Sequence, residues 1–217
     1  MARAATKKTP SATTVLFVRH GQTPTTGSVL PGRARGLHLS EAGVGQAEQA
    51  AARLAAGPPV AAVYASPLER ARETAAPIAR ALGRRVQIDR GLLECDFGEW
   101  TGRPLKELMK LPAWSTVQRY PSGFRFPGGE SFTEMQARMS ATVGRLAEEH
   151  RGETIVCVSH ADPIKAAVAS ALGTHLDLFQ RIVVSPCSIT AVSYGHAAPV
   201  VLTVNSVGGD LAALRPS

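Results

Sequence analysis

A layered α/β domain with a largely parallel sheet is the fold class this sequence predicts, and three observations predict it. Short continuous apolar runs at residues 15–18, 60–65 and 154–158 suit strands buried on both faces of a sheet. Stretches of helical composition follow the first, second and third of these runs, so strands and helices alternate. The length of 217 residues suffices for one domain with a well-buried core and is short for two.

The elements follow in order. Residues 15–18 form the first strand, ending directly at Arg19, His20 and Gly21. An Ala-rich stretch at 45–56 predicts a helix with Ser40 as its N-cap, stopped by Gly57, Pro58 and Pro59. Residues 60–65 read as a second strand, and Pro67 then stands where a helix over 68–82 begins, with a kink expected at Pro77. A brief strand at 86–88, an apolar strand at 154–158 and a helix over 163–172 continue the pattern. Residues 188–194 and 200–204 predict a closing hairpin. The interval 92–131 differs in texture, with Trp100, Trp114, Tyr120, Phe124 and Phe126 among Gly and Pro. It is read either as a substrate-covering insertion or as a peripheral packing unit.

Composition narrows the functional classes. Hydrophobic residues at 44% and charged residues at 19% set disorder and fibrous classes aside for most of the length. No apolar run reaches the roughly 18 to 20 residues that span a bilayer, and the N-terminus lacks the apolar block of a secretory signal, so a cytoplasmic location is expected. Residues 1–14, with Arg3, Lys7 and Lys8, are read as a disordered basic tail ahead of a single domain at 15–217. Cys95, Cys157 and Cys187 show no CxxC spacing and are read as buried free thiols, with no metal site. The formal charge of +7 is spread over scattered Lys and Arg without a nucleic-acid motif, and an anionic small substrate accounts for part of it.

Chemistry concentrates at strand ends. Arg19-His20-Gly21 follows the first strand, where strand carboxyl ends open onto the ligand crevice of α/β sheets. His160 ends another apolar strand, and Arg70 falls in the first turn of a helix that follows a third strand, whose free N–H groups also favour anions. These features, Arg19-His20-Gly21 with Thr23, residues 66–74, Leu93-Glu94 with Gly98, and Ser159-His160, resemble in order and spacing the motifs of the histidine phosphatase superfamily, the phosphoglycerate mutase-like proteins. The resemblance covers roughly residues 15–205.

The resemblance implies a three-layer α/β/α sandwich. It further implies that His20 is the nucleophile, that Arg19, Arg70 and His160 grip the phosphoryl oxygens, and that Glu94 is the proton donor. Those roles are chemically coherent. Nearby Arg charges disfavour the imidazolium and keep His20 nucleophilic, and planar guanidinium forks match phosphoryl oxygens without a metal. Gly21 is expected to let the backbone approach the phosphate closely. Thr26 stands where members often carry Asn and keeps a hydroxyl; Ala161 stands where Gly often follows the second histidine and keeps its backbone N–H. Both are counted with Thr23 among the phosphate-binding residues. Arg103, Lys106, Arg119 and Arg125 are candidates for a second anionic group, and His38, His150, His175 and His196 receive no role.

The expected activity is hydrolysis of phosphate monoesters through phosphohistidine, with no metal and no cofactor. Residues 127–131 resemble a stretch found in many phosphatase-like members. The alternatives are a phosphomutase acting on phosphoglycerate or a related ester, and a non-enzymatic phospholigand-binding module on the same fold. A metal-dependent hydrolase ranks below these. The chain lacks the Asn-rich, Trp-containing stretch that follows the first motif in glycolytic mutases. The expected partner is a small phosphorylated substrate, with no nucleic acid and no membrane, and a homodimer is compatible with the sequence.

Overall fold

A computed structural model describes residues 12–208. In chain order the strands are β1 (Thr13–Arg19), β2 (Ala62–Ala65), β3 (Val86–Ile88), β4 (Thr154–Ser159), β5 (Ile189–Tyr194) and β6 (Val200–Ser206). The α-helices are α1 (Glu41–Ala55), α2 (Glu69–Ala81), α3 (Leu105–Leu108), α4 (Pro112–Arg119), α5 (Phe132–Glu149) and α6 (Ala161–Ala171). The six strands form one sheet in the order β3-β2-β4-β1-β5-β6. Pairings β3/β2, β2/β4 and β4/β1 are parallel, while β5 runs antiparallel to β1 and to β6. The last two strands are the expected hairpin.

Strand periodicity assigns alternate side chains to opposite faces. Leu16, Val18, Val63, Ala65, Val156 and Val158 pack with Ala51 and Leu54 of α1 and with Ala71, Ala75 and Ile78 of α2. Val15, Phe17, Ala62, Tyr64, Ile155 and Cys157 pack with Met139, Val143 and Leu146 of α5 and with Ile164, Ala167 and Val168 of α6. The layers are therefore helix, sheet, helix. A strand clothed on both faces has no reason to alternate polar and apolar residues, which is why these runs read as continuous.

Local signals act as their chemistry dictates. The Ser40 hydroxyl accepts from the Gly43 N–H at 3.1 Å and caps α1. Helix α2 runs through Pro77 and continues to Ala81. The first strand begins at Thr13, inside the stretch expected as tail, where the single Thr13 hydroxyl proton is shared between Ala147 O and His150 O, each 2.8 Å away at the end of α5. The expected tail otherwise lies outside the described residues. All three cysteines are buried free thiols.

The aromatic interval resolves into short helices on a third apolar cluster. Phe97, Trp100, Val117, Phe126 and Phe132 pack against Ala166 and Ala169 of α6 and against Phe179. The two readings of this interval are not exclusive, since Phe97 and Leu105 also line the cleft described below.

Reading along the chain leaves residues 132–153 without an element, yet they hold the 18-residue helix α5. Its start is a capping box. The Ser131 hydroxyl accepts from Glu134 N–H at 3.1 Å, and the Glu134 carboxylate accepts from Ser131 N–H at 2.9 Å. Replacing Ser131 with Ala should cost about 1 kcal/mol of stability, read as a lower urea midpoint at unchanged slope.

Candidate active site

Three adjacent parallel strands, β2, β4 and β1, deliver Ser66, His160 and His20 immediately beyond their carboxyl ends. Register makes this convergence unavoidable: Arg19 pairs with Ser159 and Ala65 with Val158. The His20 N–H donates to Ser159 O at 2.9 Å, tying the two histidine segments together. The His20 and His160 rings meet edge to face with centroids 5.1 Å apart.

The tautomer of His20 follows from its neighbours. Nδ1 lies 2.8 Å from Gly21 O, and a carbonyl can only accept, so Nδ1 carries the proton. Nε2 is left with its lone pair, which accepts from Arg70 Nε at 3.3 Å. Burial, then the Arg70 charge and then the Arg19 charge, press the His20 pKa down to about 3. The ring is thus neutral at pH 7, with an unprotonated Nε2 whose lone pair is engaged only by the long 3.3 Å bond from Arg70 Nε. Burial, followed by Arg70 and His20, likewise holds His160 well below the ordinary histidine range. His160 Nε2 lies 2.8 Å from the Ser66 hydroxyl.

Arg70 is fully buried in the first turn of α2 and donates from Nη2 to Gly32 O at 2.7 Å. Arg19 donates from Nη1 to Val184 O at 2.8 Å. Buried polar atoms without partners are rare. Among the described residues six buried side-chain polar atoms lack a partner, and three of the six, Arg19 Nε, Arg70 Nη1 and His160 Nδ1, belong to this site. Each can donate a hydrogen bond to an oxyanion.

Glu94 is buried, and its Oε1 accepts from the Cys95 N–H at 2.9 Å. Burial, reinforced by the negative charge of Asp162, pushes its carboxyl up to about 7, against the pull of the Cys95 hydrogen bond and of Arg70 and Arg19. Such a carboxyl keeps a proton to give at neutral pH.

Arg19, His20, Thr23, Thr26, Glu94 and Ala161 line a cleft of about 250 Å3, and the fully buried Arg70 and His160 lie against His20 without lining the cleft themselves. At ~30 Å3 per water this is room for about eight water-sized groups. Thr26 Oγ accepts from Thr23 N–H at 2.9 Å and lies 3.0 Å from the Thr23 hydroxyl, so the two threonines brace one another.

The match to known proteins covers nearly the same span. The model of the histidine phosphatase superfamily (branch 1) matches residues 15–207. The chain belongs to the histidine phosphatase superfamily. It is 30% identical to phosphoserine phosphatase 1 of Hydrogenobacter thermophilus over 187 residues, covering 80% of this chain and 84% of that protein. The bifunctional protein Rv2228c of Mycobacterium tuberculosis is 34% identical over 198 residues, 90% of this chain but 54% of its own length, so the chain spans about half of that relative. Among solved structures, Bacillus stearothermophilus YhfR superposes with a TM-score of 0.84 at 27% identity, over 91% of this chain and 98% of its own.

In this member of the histidine phosphatase superfamily Gly21 does not line the cleft. A Cβ there would lie 2.6 Å from Gly43 O, and one on Gly43 would lie 2.0 Å from Gln22 O. The glycines let the loop after β1 press onto the first turn of α1, and the Gly21 N–H donates to the Thr74 hydroxyl at 3.0 Å. None of Arg103, Lys106, Arg119 and Arg125 lines the cleft. Arg125 instead pairs with Glu134, and Arg103 lies 3.9 Å from Glu107. The further cation is Lys165 of α6, bound to Asp162 at 3.3 Å and to Gln180 at 3.1 Å. His38 pairs with Glu73, and His150 Nε2 bonds the Tyr64 hydroxyl at 2.8 Å. Among the described residues no group of three or more His, Cys, Asp or Glu is arranged to hold a metal, and no helix is long and apolar enough to cross a membrane.

A layer behind the site, absent from the sequence reading, holds the backbone of Glu94. Arg33 Nε donates to Glu94 O at 2.9 Å, and Arg138 Nη1 donates to Gly91 O at 2.7 Å and Leu93 O at 2.9 Å. Glu130 joins the two arginines, accepting from Arg33 Nη2 and from Arg138 Nε, each at 2.9 Å. Burial opposes the Glu130 charge, but the Arg138 hydrogen bonds hold its pKa below the usual carboxylate range.

The neutral burial of His20 has a consequence for stability. The unfolded chain takes up a proton near the ordinary 6.5, whereas the folded state resists until about 3. Stability therefore falls as pH drops below 6.5, by about 2 kcal/mol from this residue at pH 5. Urea denaturation at pH 7 and pH 5 should show His20→Gln losing about that much less than the wild type on acidification.

Proposed function

We propose that this chain hydrolyses phosphate monoesters through a phosphohistidine formed on His20 Nε2. The observation that carries the reading is the tautomer: Nδ1–H is committed to Gly21 O, so the available lone pair is on Nε2, beside Arg70. In the first step Nε2 attacks phosphorus and the phosphorus–oxygen bond to the alcohol breaks while Glu94 gives its proton to the departing oxygen. In the second step Glu94, now a carboxylate, takes a proton from water as its oxygen attacks phosphorus, the Nε2–phosphorus bond breaks and inorganic phosphate leaves.

Arg19, Arg70 and His160 hold the transferring group with the donors that have no protein partner, and two guanidiniums supply the positive charge a metal ion would otherwise bring. Thr23, Thr26 and the N–H of Ala161 complete the rim, with Gly21 acting through the loop that carries His20. Water as final acceptor, rather than a second phosphoryl acceptor as in a mutase, is supported by the relative named phosphoserine phosphatase 1. We assign this activity to a single domain running from β1, which begins at Thr13, through β6, acting in the cytoplasm on a small phosphorylated substrate without nucleic acid or membrane as partner.

Replacing His20 with Ala should reduce hydrolysis of any ester to below about one thousandth of wild type with the fold intact. Glu94→Gln should lower kcat/KM for an alkyl phosphate by about 10² to 10⁴ and for p-nitrophenyl phosphate far less, because that leaving oxygen needs little protonation. For the alkyl ester, wild-type activity should decline as pH rises through about 7, the value to which Glu94 is pushed. Equal losses on both esters, or an H20A protein that still turns over, would contradict the mechanism. Activity should also survive strong chelators; its loss on chelation and return with zinc or magnesium would favour a metal-dependent hydrolase.

A further inference from the structure

Beside the phosphoryl cleft lies a second cavity, of about 160 Å3, with Phe97, Trp114, Val117, Phe126 and Phe132 among its walls. Leu30, Phe97 and Asp162 line both cavities, so the two are immediate neighbours. A cavity of about 150 Å3 is large enough to take a benzene ring, and this one sets Gln118, Asp162 and Gln180 beside its aromatic walls. This one is built in advance of any ligand. Phe97 meets Phe126 edge to face at 4.8 Å, Phe126 meets Phe132 at 5.1 Å, and Trp114 stacks on Trp100 at 6.3 Å. Walls fixed by their own packing do not have to be ordered when a ligand enters, so little of the binding energy is lost to organising them.

The polar groups at this cavity are few and already oriented. Lys165 donates to Asp162 and to Gln180 Oε1, which satisfies the lysine and leaves the Gln180 amide N–H groups as donors. Gln180 lines the aromatic cavity. A compact charged leaving group, such as an amino-acid or sugar-acid skeleton, would find no cation among the residues that line this cavity. A ring matches its volume and could accept from Gln180.

We propose that the substrates of this chain are phosphate monoesters of alcohols bearing an aromatic ring, the phosphoryl group lying at His20 and the ring in the cavity of Phe97, Trp114, Phe126 and Phe132. The proposal takes the phosphoryl end from the reading above and adds what lies at the other end.

The test uses ligands that cannot be hydrolysed, so it does not depend on whether a phosphohistidine forms. Propylphosphonate and 3-phenylpropylphosphonate carry the same anionic head, and their dissociation constants for the full chain can be compared by calorimetry. The phenyl compound should bind at least about tenfold more tightly. Inorganic phosphate should displace both. Trp114→Ala, which removes a wall, and Val117→Phe, which fills the space, should each reduce the ratio to below about threefold. Wild-type affinities within about twofold of each other would overturn the proposal whether or not either variant folds. A phenyl preference that inorganic phosphate does not compete away, or one unchanged in both variants when circular dichroism shows them folded, would overturn it as well. Failure of the phosphatase reading would show separately, as hydrolysis of p-nitrophenyl phosphate persisting in His20→Ala.

Discussion

Two guanidinium groups, Arg19 and Arg70, share a mostly buried volume with two imidazoles and one carboxyl, and the charge of those guanidiniums constrains everything around them. A protonated histidine beside them would add a further positive charge where desolvation already opposes charge, so His20 and His160 are held neutral. Glu94 experiences the same burial, which with the Asp162 charge pushes its carboxyl up to about 7 against the Cys95 hydrogen bond and the arginines. The result is a site with two positive charges, a neutral imidazole whose Nε2 carries no proton, and a carboxyl pushed up to about 7. A phosphate monoester dianion is complementary to that arrangement, and it needs each group in the protonation state that burial already imposes.

The sheet supplies the geometry. Parallel strands β2, β4 and β1 end in register, which sets Ser66, His160 and His20 side by side without any long loop to order. His20, His160 and Ser66 are therefore held immediately beyond strands of the central sheet, the kind of mounting that precise positioning requires. Glu94 is the exception, because it lies outside any strand or helix. The arginines at 33 and 138, joined through Glu130, hold the carbonyls of Gly91, Leu93 and Glu94 and do for this loop what the sheet does for His20. Removing Glu130 would leave two partly buried guanidiniums without their shared carboxylate.

How much of this was legible in the chain depended on how local each signal was. Strands clothed on both faces appear as apolar runs; Arg19-His20 and Ser159-His160 close two such runs and Arg70 stands in the first turn of the helix after a third, so their approach to one end of the sheet was legible from strand ends. Helix α5 was equally local in its Ser131 to Glu134 capping box and its apolar spacing through Met135, Met139, Val143 and Leu146; that signal was present and passed over. The clamp on Glu94 was not legible, since Arg33 and Arg138 lie 61 and 44 residues from it in sequence. The second-anion candidates do not line the cleft, and two of them have acids close by in sequence, Arg103 with Glu107 and Arg125 with Glu134, whereas the cation that does line it, Lys165, comes from α6. Gly21 shows a subtler limit: its smallness was legible, but the partner it makes room for, Gly43, comes from another element.

The claim on which the account rests is that His20 reacts through Nε2 because Nδ1–H is held by Gly21 O. It is tested most directly by stopping the reaction within milliseconds of mixing with an activated aryl phosphate and determining by phosphorus NMR and peptide mapping which nitrogen of which residue carries phosphorus. The structure predicts acid-labile phosphate on His20, bonded to Nε2. Phosphate on Nδ1, on His160, or on no residue during rapid turnover would contradict it.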